Sequence, residues 1–381
     1  MHTKDSGLTF AVADSITDLP PDQWNALFNA DCIEGYGFHK TLEESGLKEF
    51  TLRYLTARRN ARLTAILPFF TTLFSFTTII QGPLQKMILA LQKRFPGFLT
   101  MKIMFVGAPT AERLYLGLSN DEEKHTLLSA ALKELWGVCR AEKIGLLLFY
   151  NLTGEDAALA ASLKRCGFCR MENYPGTVIE LDFPSLEEYF AKRLGHNTRK
   201  DLRRKLKQSA ALAKLTTEIR EDLDGIDSEV YQLYLNNLKD SEVSFEKLTP
   251  EFFRQISRNM PGIAKYFITR DKEKIVAFNL CFIENETCID KFVGFDKEVA
   301  HQYHLYYTTF CHNIDWCIKN GIRYYHMGIT DYEPKLRLGA KLIPLFVYVK
   351  LRNPVMNFFA KWIIPFMEPK KTDPTLKKLK K

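Results

Sequence analysis

The sequence predicts an α/β protein in which mixed sheets and helices are arranged as two similar halves. Short runs rich in Val, Ile, Phe, Tyr and Thr, residue types that suit strands, alternate with longer segments of helical periodicity. The order of segments in residues 1–186 is met again in residues 187–352. The length, 381 residues, fits two domains of roughly 100–200 residues each. A composition of 46% apolar and 26% charged residues is that of a globular chain, which excludes wholesale disorder and collagen-like or low-complexity structure.

In the first half, FTLRYLTARR, RLTAILPFF and KIMFVGAP read as strands, followed by a helix from about Asp121 to Ala141. The strand IGLLLFYNL, a short helix (DAALAASLKRCGF) and a last strand (TVIELDF) complete it. The second half offers AKYFITRD, KIVAFNLCFIEN and CIDKFVGFD, a helix from about Gln302 to Lys319, the strand IRYYHMG, the short segment YEPKLRLGAK and a last strand PLFVYVKL. Phe105-Val106-Gly107 answers Phe292-Val293-Gly294, Trp136 answers Trp316, and Leu163–Gly167 answers Leu336–Ala340. Mixed strands with one crossover helix per unit, met twice, indicate internal duplication. The expected domains are 1–186, 187–352 and a tail, 353–381.

Between the halves lies a basic helix, expected over 198–215, with Thr198 as N-cap and Asp201 at capping-box spacing. Leu202, Leu206, Ser209 and Ala213 share one face, while Arg199, Lys200, Arg203, Arg204 and Lys207 fill an adjoining arc of roughly 140°. Two further helices are read in 227–257.

Lys and Arg number 53 against 45 Asp and Glu, a net charge of +8 that favours anionic partners. Eight dispersed cysteines and an opening, MHTKDSGLTF, without an apolar core read as reduced thiols in a cytosolic protein. Cys166 and Cys169 form a lone CxxC, for which packing is preferred over a metal. Leu63–Gln85 carries no charge, yet its five Thr, Ser75, Pro68 and Gly82 favour two buried strands over a membrane span. Residues 84–99 are apolar on one side and carry Lys86, Lys93 and Arg94. The aromatic-rich stretch from Asn353 runs into Lys370, Lys371, Lys377, Lys378, Lys380 and Lys381. Two readings of that end stand open: attraction to an anionic membrane leaflet, and a packed helix with a solvated tail.

Three local features carry a resemblance. NTRKDLRRKLKQ is a basic helix between the halves; VGFDKEVAHQYHLYYTTFCHNIDWCIKNGI is a strand, loop and helix ending at a glycine; MGITDYEPKLRLGA is a terminal Gly, Tyr, Lys, Gly run. Together with AILPFF and LKRCGF in the first half, they make the chain, over about 40–350, resemble the tandem-GNAT proteins of the BioF2-like acetyltransferase and Fem-type peptidoglycan aminoacyltransferase group. The resemblance implies two tandem GNAT-like acyl-CoA N-acyltransferase domains. It implies acyl transfer from a thioester donor, acyl-CoA or acyl-carrier protein, to an amine, with no permanently bound cofactor. It also implies Lys335, Arg337, Tyr332 and Gly294 as donor-binding residues. The sequence departs from the group's phosphate loop: His301-Gln302-Tyr303-His304-Leu305-Tyr306 contains no glycine, nor does Thr110-Ala111-Glu112-Arg113.

Such a transfer needs a positioned donor, a base for the amine and donors for the oxyanion. The expected cleft lies where CIDKFVGFD and IRYYHMG splay apart. Asp290, on the first strand, and His304, at the helix start, are the candidate bases. The competing assignments are a buried ion pair for Asp290, with Lys291, and a cap or surface role for His304. His326 reads as a satisfied core imidazole. Lys335 and Arg337 are expected at the mouth of the cleft as holders of a phosphate or carboxylate. Arg199, Arg203, Arg204 and Lys207 are candidates for binding phosphates of tRNA, of another donor or of a lipid, against a merely solvated face. tRNA ranks behind an acyl donor because RNA-recognition motifs are missing. No DNA partner and no metal are expected, and no G-x-S-x-G, P-loop or G-x-G-x-x-G motif is present. A non-enzymatic scaffold would have the slot filled by Phe292, Tyr306 or Tyr325. The expected setting is cytoplasmic, with membrane association open.

Overall fold

The computed structural model describes residues 7–28, 32–75, 100–119, 124–154, 156–240 and 247–378. In chain order its strands are β1 (Leu8–Ala13), β2 (Thr51–Arg59), β3 (Arg62–Ser75), β4 (Thr100–Val106), β5 (Gly117–Leu118), β6 (Leu146–Leu152), β7 (Cys169–Glu172), β8 (Gly176–Glu180), β9 (Leu215–Arg220), β10 (Ala264–Asp271), β11 (Lys274–Glu284), β12 (Thr287–Phe295), β13 (Tyr324–His326), β14 (Lys341–Ile343) and β15 (Phe346–Leu351). The helices are α1 (Pro21–Asn25), α2 (Tyr36–Glu44), α3 (Lys124–Ala141), α4 (Ala157–Arg165), α5 (Leu186–Arg193), α6 (His196–Leu212), α7 (Asp227–Asp240), α8 (Pro250–Asn259), α9 (Leu305–Lys319), α10 (Tyr332–Arg337) and α11 (Pro354–Ile363), with three short helical turns after it. The segment 84–99 and Lys380 and Lys381 lie outside the described residues; of the uncharged run, Leu63–Ser75 lies in β3. No described helix is long and apolar enough to cross a membrane.

The chain forms two compact units, residues 1–43, 47–174 and 344–381 in one and 44–46 and 175–343 in the other. The first unit holds a sheet in the order β1-β2-β3-β4-β6-β15-β7, with β5 on β3. The second holds β14-β8-β13-β12-β11-β10-β9. Each contains one parallel pair joined by a crossover helix: β4 and β6 through α3, β12 and β13 through α9. A parallel pair needs such a crossover, so the two long helices are where their period predicts.

The terminal strands depart from expectation. TVIELDF was assigned to the first half, but β8 pairs with β13 and β14 in the second unit's sheet. PLFVYVKL was assigned to the second half, but β15 lies between β6 and β7 in the first unit's sheet. Each sheet is thus completed by the strand that ends the other half of the sequence. The basic helix also starts earlier than expected, at His196 after Gly195, with no side-chain cap.

Helix α3 buries Leu127, Leu128, Ala131, Leu132, Leu135 and Cys139 on its sheet in the first unit. In the second unit, α9 buries Phe310, Cys311, Ile314 and Cys317 on one face of the sheet. On the opposite face, α8 starts cleanly because Thr249 accepts from the Phe252 N–H and Pro250 occupies the first turn. It buries Phe252 and Phe253, whose rings meet Phe292 of β12.

Because β15 is interior to its sheet, a chain ending at Ile343 leaves β6 and β7 without a partner between them. We expect such a chain to lose amide-exchange protection across β6 and β7 while β10, β11 and β12 keep theirs. Hydrogen exchange read by mass spectrometry checks this, and full protection of β6 in the shortened chain contradicts it.

Candidate functional site

The site is built in the second unit where two parallel strands part. β12 and β13 are paired at Thr287 with Tyr324, Cys288 with Tyr325 and Ile289 with His326, and there the pairing stops. Past His326 only the pairing on the other edge, with β8, continues: the Met327 N–H donates to the Thr177 carbonyl (3.0 Å) and the Thr177 N–H to the Gly328 carbonyl (3.1 Å). Asp290 is the first residue of β12 beyond the last pair.

The next residue, Lys291, is a β-bulge: Cys281 faces Asp290 and Leu280 faces Phe292, with Lys291 between them unmatched. In a regular strand residues 290 and 292 share a face. The extra residue puts them on opposite faces. Phe292 packs into the α7 and α8 aromatic cluster with Tyr234, Phe252 and Phe253. Asp290 points to the α9 side.

There it is 6% exposed, and its donors converge on one oxygen. Asn279 Nδ2 donates to Oδ2 at 2.8 Å and Asn313 Nδ2 at 3.3 Å, and the Tyr325 hydroxyl also donates to it. Burial pushes the Asp290 carboxyl up from 3.8 to about 6, while the bonds from Tyr325, Asn279 and Asn313 and the charge of Lys335 oppose the shift. Lys335, on α10, is 4% exposed, and its Nζ lies 3.9 Å from the position a Cβ at Gly328 would take. Burying an ammonium is costly unless a counter-charge accompanies it, and Asp290 supplies that field.

Tyr306 stands in the first turn of α9, its ring centroid 4.4 Å from that of Phe310 and tilted against it. Its hydroxyl is buried and finds no hydrogen-bond partner among the described residues. Burial raises its pKa, and the charges of Asp331 and Asp290 raise it further. A buried hydroxyl without a partner costs free energy, so it marks a place where a further polar atom belongs. The helices carrying Tyr306 and Lys335 both enter through left-handed residues, His304 (φ 50°) and Asp331 (φ 51°). Such conformations cluster where geometry is held for function.

The remaining candidates are distributed differently. His304 Nε2 lies 3.2 Å from Gln208 Oε1 of α6, and burial, followed by the charges of Lys205 and Arg204, lowers its pKa. His326 is half-buried at the last paired position of β13. Lys335 is buried beside Asp290 rather than at a cleft mouth, whereas Arg337 is exposed and paired with Glu333 at 2.8 Å. The Tyr332 hydroxyl is shared between the carbonyls of Ile329 (2.6 Å) and Pro175 (3.0 Å), pinning α10 to the start of β8. Gly294 is a packing glycine: a Cβ there would sit 2.6 Å from the Leu233 carbonyl carbon of α7. Of the basic helix, Arg199 donates to the Ala191 carbonyl, Arg203 pairs with Glu187 and Arg204 with Asp201 (both 2.6 Å), and Lys207 is exposed.

Asn279 and Asn313 were not singled out from the sequence, although each is a lone amide on an otherwise apolar strand or helix face. A buried polar residue in such a setting is the informative signal. In the first unit a cavity of about 310 Å³ lies at the starts of α3 and α4, lined by Arg113, Lys124, Thr153 and Asp156 together with apolar side chains such as Phe28 and Leu128.

Residues 196–336 match the acetyltransferase (GNAT) domain family. The matched residues lie in the second unit, and the fold is that of tandem-GNAT proteins. Among solved structures it is similar to FemX, at 11% identity and a TM-score of 0.56 over 87% of this chain and 95% of that one. It is also similar to a tandem GNAT protein from the clavulanic acid biosynthesis pathway, at 13% identity and a TM-score of 0.54 over 91% of this chain and 99% of that one. In sequence it is 22% identical over 324 residues to the Mycobacterium tuberculosis protein named "Putative 8-amino-7-oxononanoate synthase 2", covering 83% of this chain. The match spans 42% of that relative's length.

Two outcomes test this geometry. A raised carboxyl pKa means the folded protein holds the Asp290 proton more tightly than the unfolded chain does. The stability this contributes is therefore full below about pH 3.8 and is lost as pH rises through about 6. Relative to Asp290→Asn, the wild type should lose about 2.4 kcal/mol between pH 4 and pH 7, at ~1.4 kcal/mol for each pH unit by which the carboxyl pKa is raised. Denaturant titrations of both proteins across that range check it, and a flat difference refutes it. Gly294→Ala should lower stability by about 1–3 kcal/mol through overpacking against α7, read as a shifted urea midpoint.

Proposed function

We propose that the chain is an acyltransferase that moves an acyl group from a thioester donor, acyl-CoA or acyl-carrier protein, onto an amine of a cell-envelope or small-molecule acceptor. The observation that carries this reading is the buried Asp290 carboxyl, with a pKa of about 6, at the point where β12 and β13 part. A carboxyl with that pKa is mostly ionised at neutral pH and still basic enough to take a proton from an attacking amine. Its Oδ2 is occupied by three donors, so Oδ1 is the oxygen that takes the proton. The amine nitrogen forms its bond to the thioester carbonyl carbon as the N–H proton passes to Asp290. The oxyanion then collapses, the C–S bond breaks, and the thiolate leaves and is protonated. The Tyr306 hydroxyl, buried and without a partner among the described residues, is the donor offered to the oxyanion or to the acceptor. Lys335 keeps the base ionised; the donor itself is a substrate, not a resident cofactor.

The likeness to FemX supports a second reading, in which the donor is an aminoacyl-tRNA and the acceptor a peptidoglycan precursor. The basic helix would then meet tRNA phosphates. Its ion pairs with Glu187 and Asp201 weaken that reading, because they already occupy Arg203 and Arg204.

A thermal-shift and turnover panel of acyl-CoAs, acyl-carrier protein and aminoacyl-tRNA separates the readings. A shift with aminoacyl-tRNA alone favours the second. For the first, Asp290→Asn should lower kcat by about 10²–10⁴-fold, while Arg113→Ala in the first unit's cavity should leave turnover unchanged. Removing the cation beside Asp290 raises the carboxyl pKa, so Lys335→Met should move the acidic limb of the kcat/KM profile to higher pH. An unmoved limb removes Lys335 from this role.

A further inference from the structure

The last helix leaves an apolar surface uncovered. Asn353 caps α11, accepting from the Val355 and Met356 N–H groups, and Pro354 occupies its first turn. One side of the helix, formed by Asn357, Ala360 and Ile364, lies against β7 and β15 of the first unit, where Cys169, Val347 and Val349 are buried. At 100° per residue, Val355, Met356, Phe358, Phe359, Trp362 and Ile363 occupy the remaining arc of about 160°. Each of these is more than half exposed, from 51% at Met356 to 69% at Trp362, and Phe366 in the following turn is 76% exposed. Singly exposed apolar residues need no explanation, but a contiguous patch of this kind marks an interaction site.

The charge around the patch identifies what covers it. Residues 353–381 contain seven lysines and two carboxylates. Lys361 flanks the apolar arc and is exposed, as are Lys377 and Lys378 in the last described turn. Lys370 is paired with Glu172 at 2.6 Å and Lys371 with Glu368 at 3.3 Å, so the two carboxylates nearest the helix are engaged. The core of a protein interface is depleted in lysine. Lys361, Lys377 and Lys378, without an ion-pair partner among the described residues, together with the exposed Phe and Trp side chains match the anionic headgroups and upper acyl region of a lipid leaflet.

We propose that α11 and the turns after it form an in-plane docking surface for an anionic lipid bilayer, with Phe358, Phe359, Trp362 and Phe366 inserted at the headgroup boundary and Lys361, Lys377 and Lys378 on the headgroups. Ten residues at 1.5 Å each give a helix of about 15 Å, half the thickness of the hydrocarbon core, so it lies on the membrane and does not span it. This inference rests on the helix face alone and stands whether or not the acyltransferase reading holds.

The test uses the full chain with vesicles of phosphatidylcholine containing 30% phosphatidylglycerol, and with pure phosphatidylcholine, in a flotation assay. Binding to the anionic vesicles is expected, with affinity at least about tenfold lower for neutral ones and falling with salt. Trp362 is expected to report insertion by quenching from brominated lipid. Phe359→Glu with Trp362→Glu should abolish flotation while leaving the melting temperature in place, since both side chains are exposed. Lys377→Glu with Lys378→Glu, away from the helix, should weaken anionic binding by about tenfold or more. A wild-type chain that does not float with anionic vesicles overturns the proposal. So does a concentration-dependent dimer that the Phe359 and Trp362 substitutions dissolve with no vesicle binding, which assigns the face to a second copy.

Discussion

One extra residue in β12 fixes the surroundings of Asp290. Were Lys291 part of a regular ladder, Asp290 would share a face with Phe292 and Gly294 and meet the largely apolar aromatic cluster of α7 and α8. The bulge sends Asp290 to the other face, where Asn279, Asn313 and Tyr325 supply three donors. The same step leaves Phe292 and Gly294 to their apolar tasks: Phe292 fills the aromatic cluster and Gly294 admits the α7 backbone. A buried carboxylate is tolerated only with such a donor set and a nearby cation. The resulting pKa near 6 reflects an environment in which burial outweighs the partners.

The two edges of β13 end differently next to Asp290. β12 continues to Phe295 while its pairing with β13 stops at His326, and on the other edge Met327 and Gly328 go on bonding to Thr177 of β8. The Thr177 hydroxyl adds a bond to the Gly328 carbonyl at 2.7 Å. β8 is the exchanged strand, the one the first half of the sequence ends on. Its presence in the second sheet holds the chain past β13, and the Tyr332 hydroxyl ties α10, which carries Lys335, to the carbonyl just before β8. The exchanged strand is therefore the support on which both the end of β13 and the start of α10 rest.

Most of the element order was legible because it rests on local signals: β-branched and aromatic runs for strands, and the 3.6-residue period of α3 and α9. The exchange of β8 and β15 was not, because sequence neighbours are adjacent in space more often than not and nothing local distinguishes TVIEL from a strand that stays with its own half. Asp290 was singled out from the sequence by residue type and by its place on the strand expected to border the cleft. Its separation from Phe292 was not legible, since a bulge has no composition of its own when the extra residue is a lysine. Lys335 was legible as a cation in a recurring run, but its burial follows from tertiary packing of α10. Of the slot-filling side chains considered from sequence, Phe292 packs on the far face, Tyr325 serves the carboxylate, and Tyr306 is half-buried, its hydroxyl unmatched among the described residues.

Where the surplus positive charge acts is decided by pairing, not by density. The basic helix is the most conspicuous charged run in the sequence, yet Arg203, Arg204 and Lys205 are matched by Glu187 and Asp201, and Lys205 also lies 3.9 Å over the Tyr307 ring. Exposed pairs of this sort contribute about 0–1 kcal/mol each to stability, but they cancel the field that an anion would feel beyond a Debye length of about 8–10 Å. The chain's last segment has the opposite balance, seven lysines against two carboxylates, with one of those carboxylates, Glu368, paired to Lys371 and the other, Asp373, accepting from the Thr375 and Leu376 N–H groups. Lys370 and Lys371 are paired with acids there, while Lys361, Lys377 and Lys378 set their charge beside exposed aromatic side chains. The less regular charge run is therefore the one whose field and apolar surface act together.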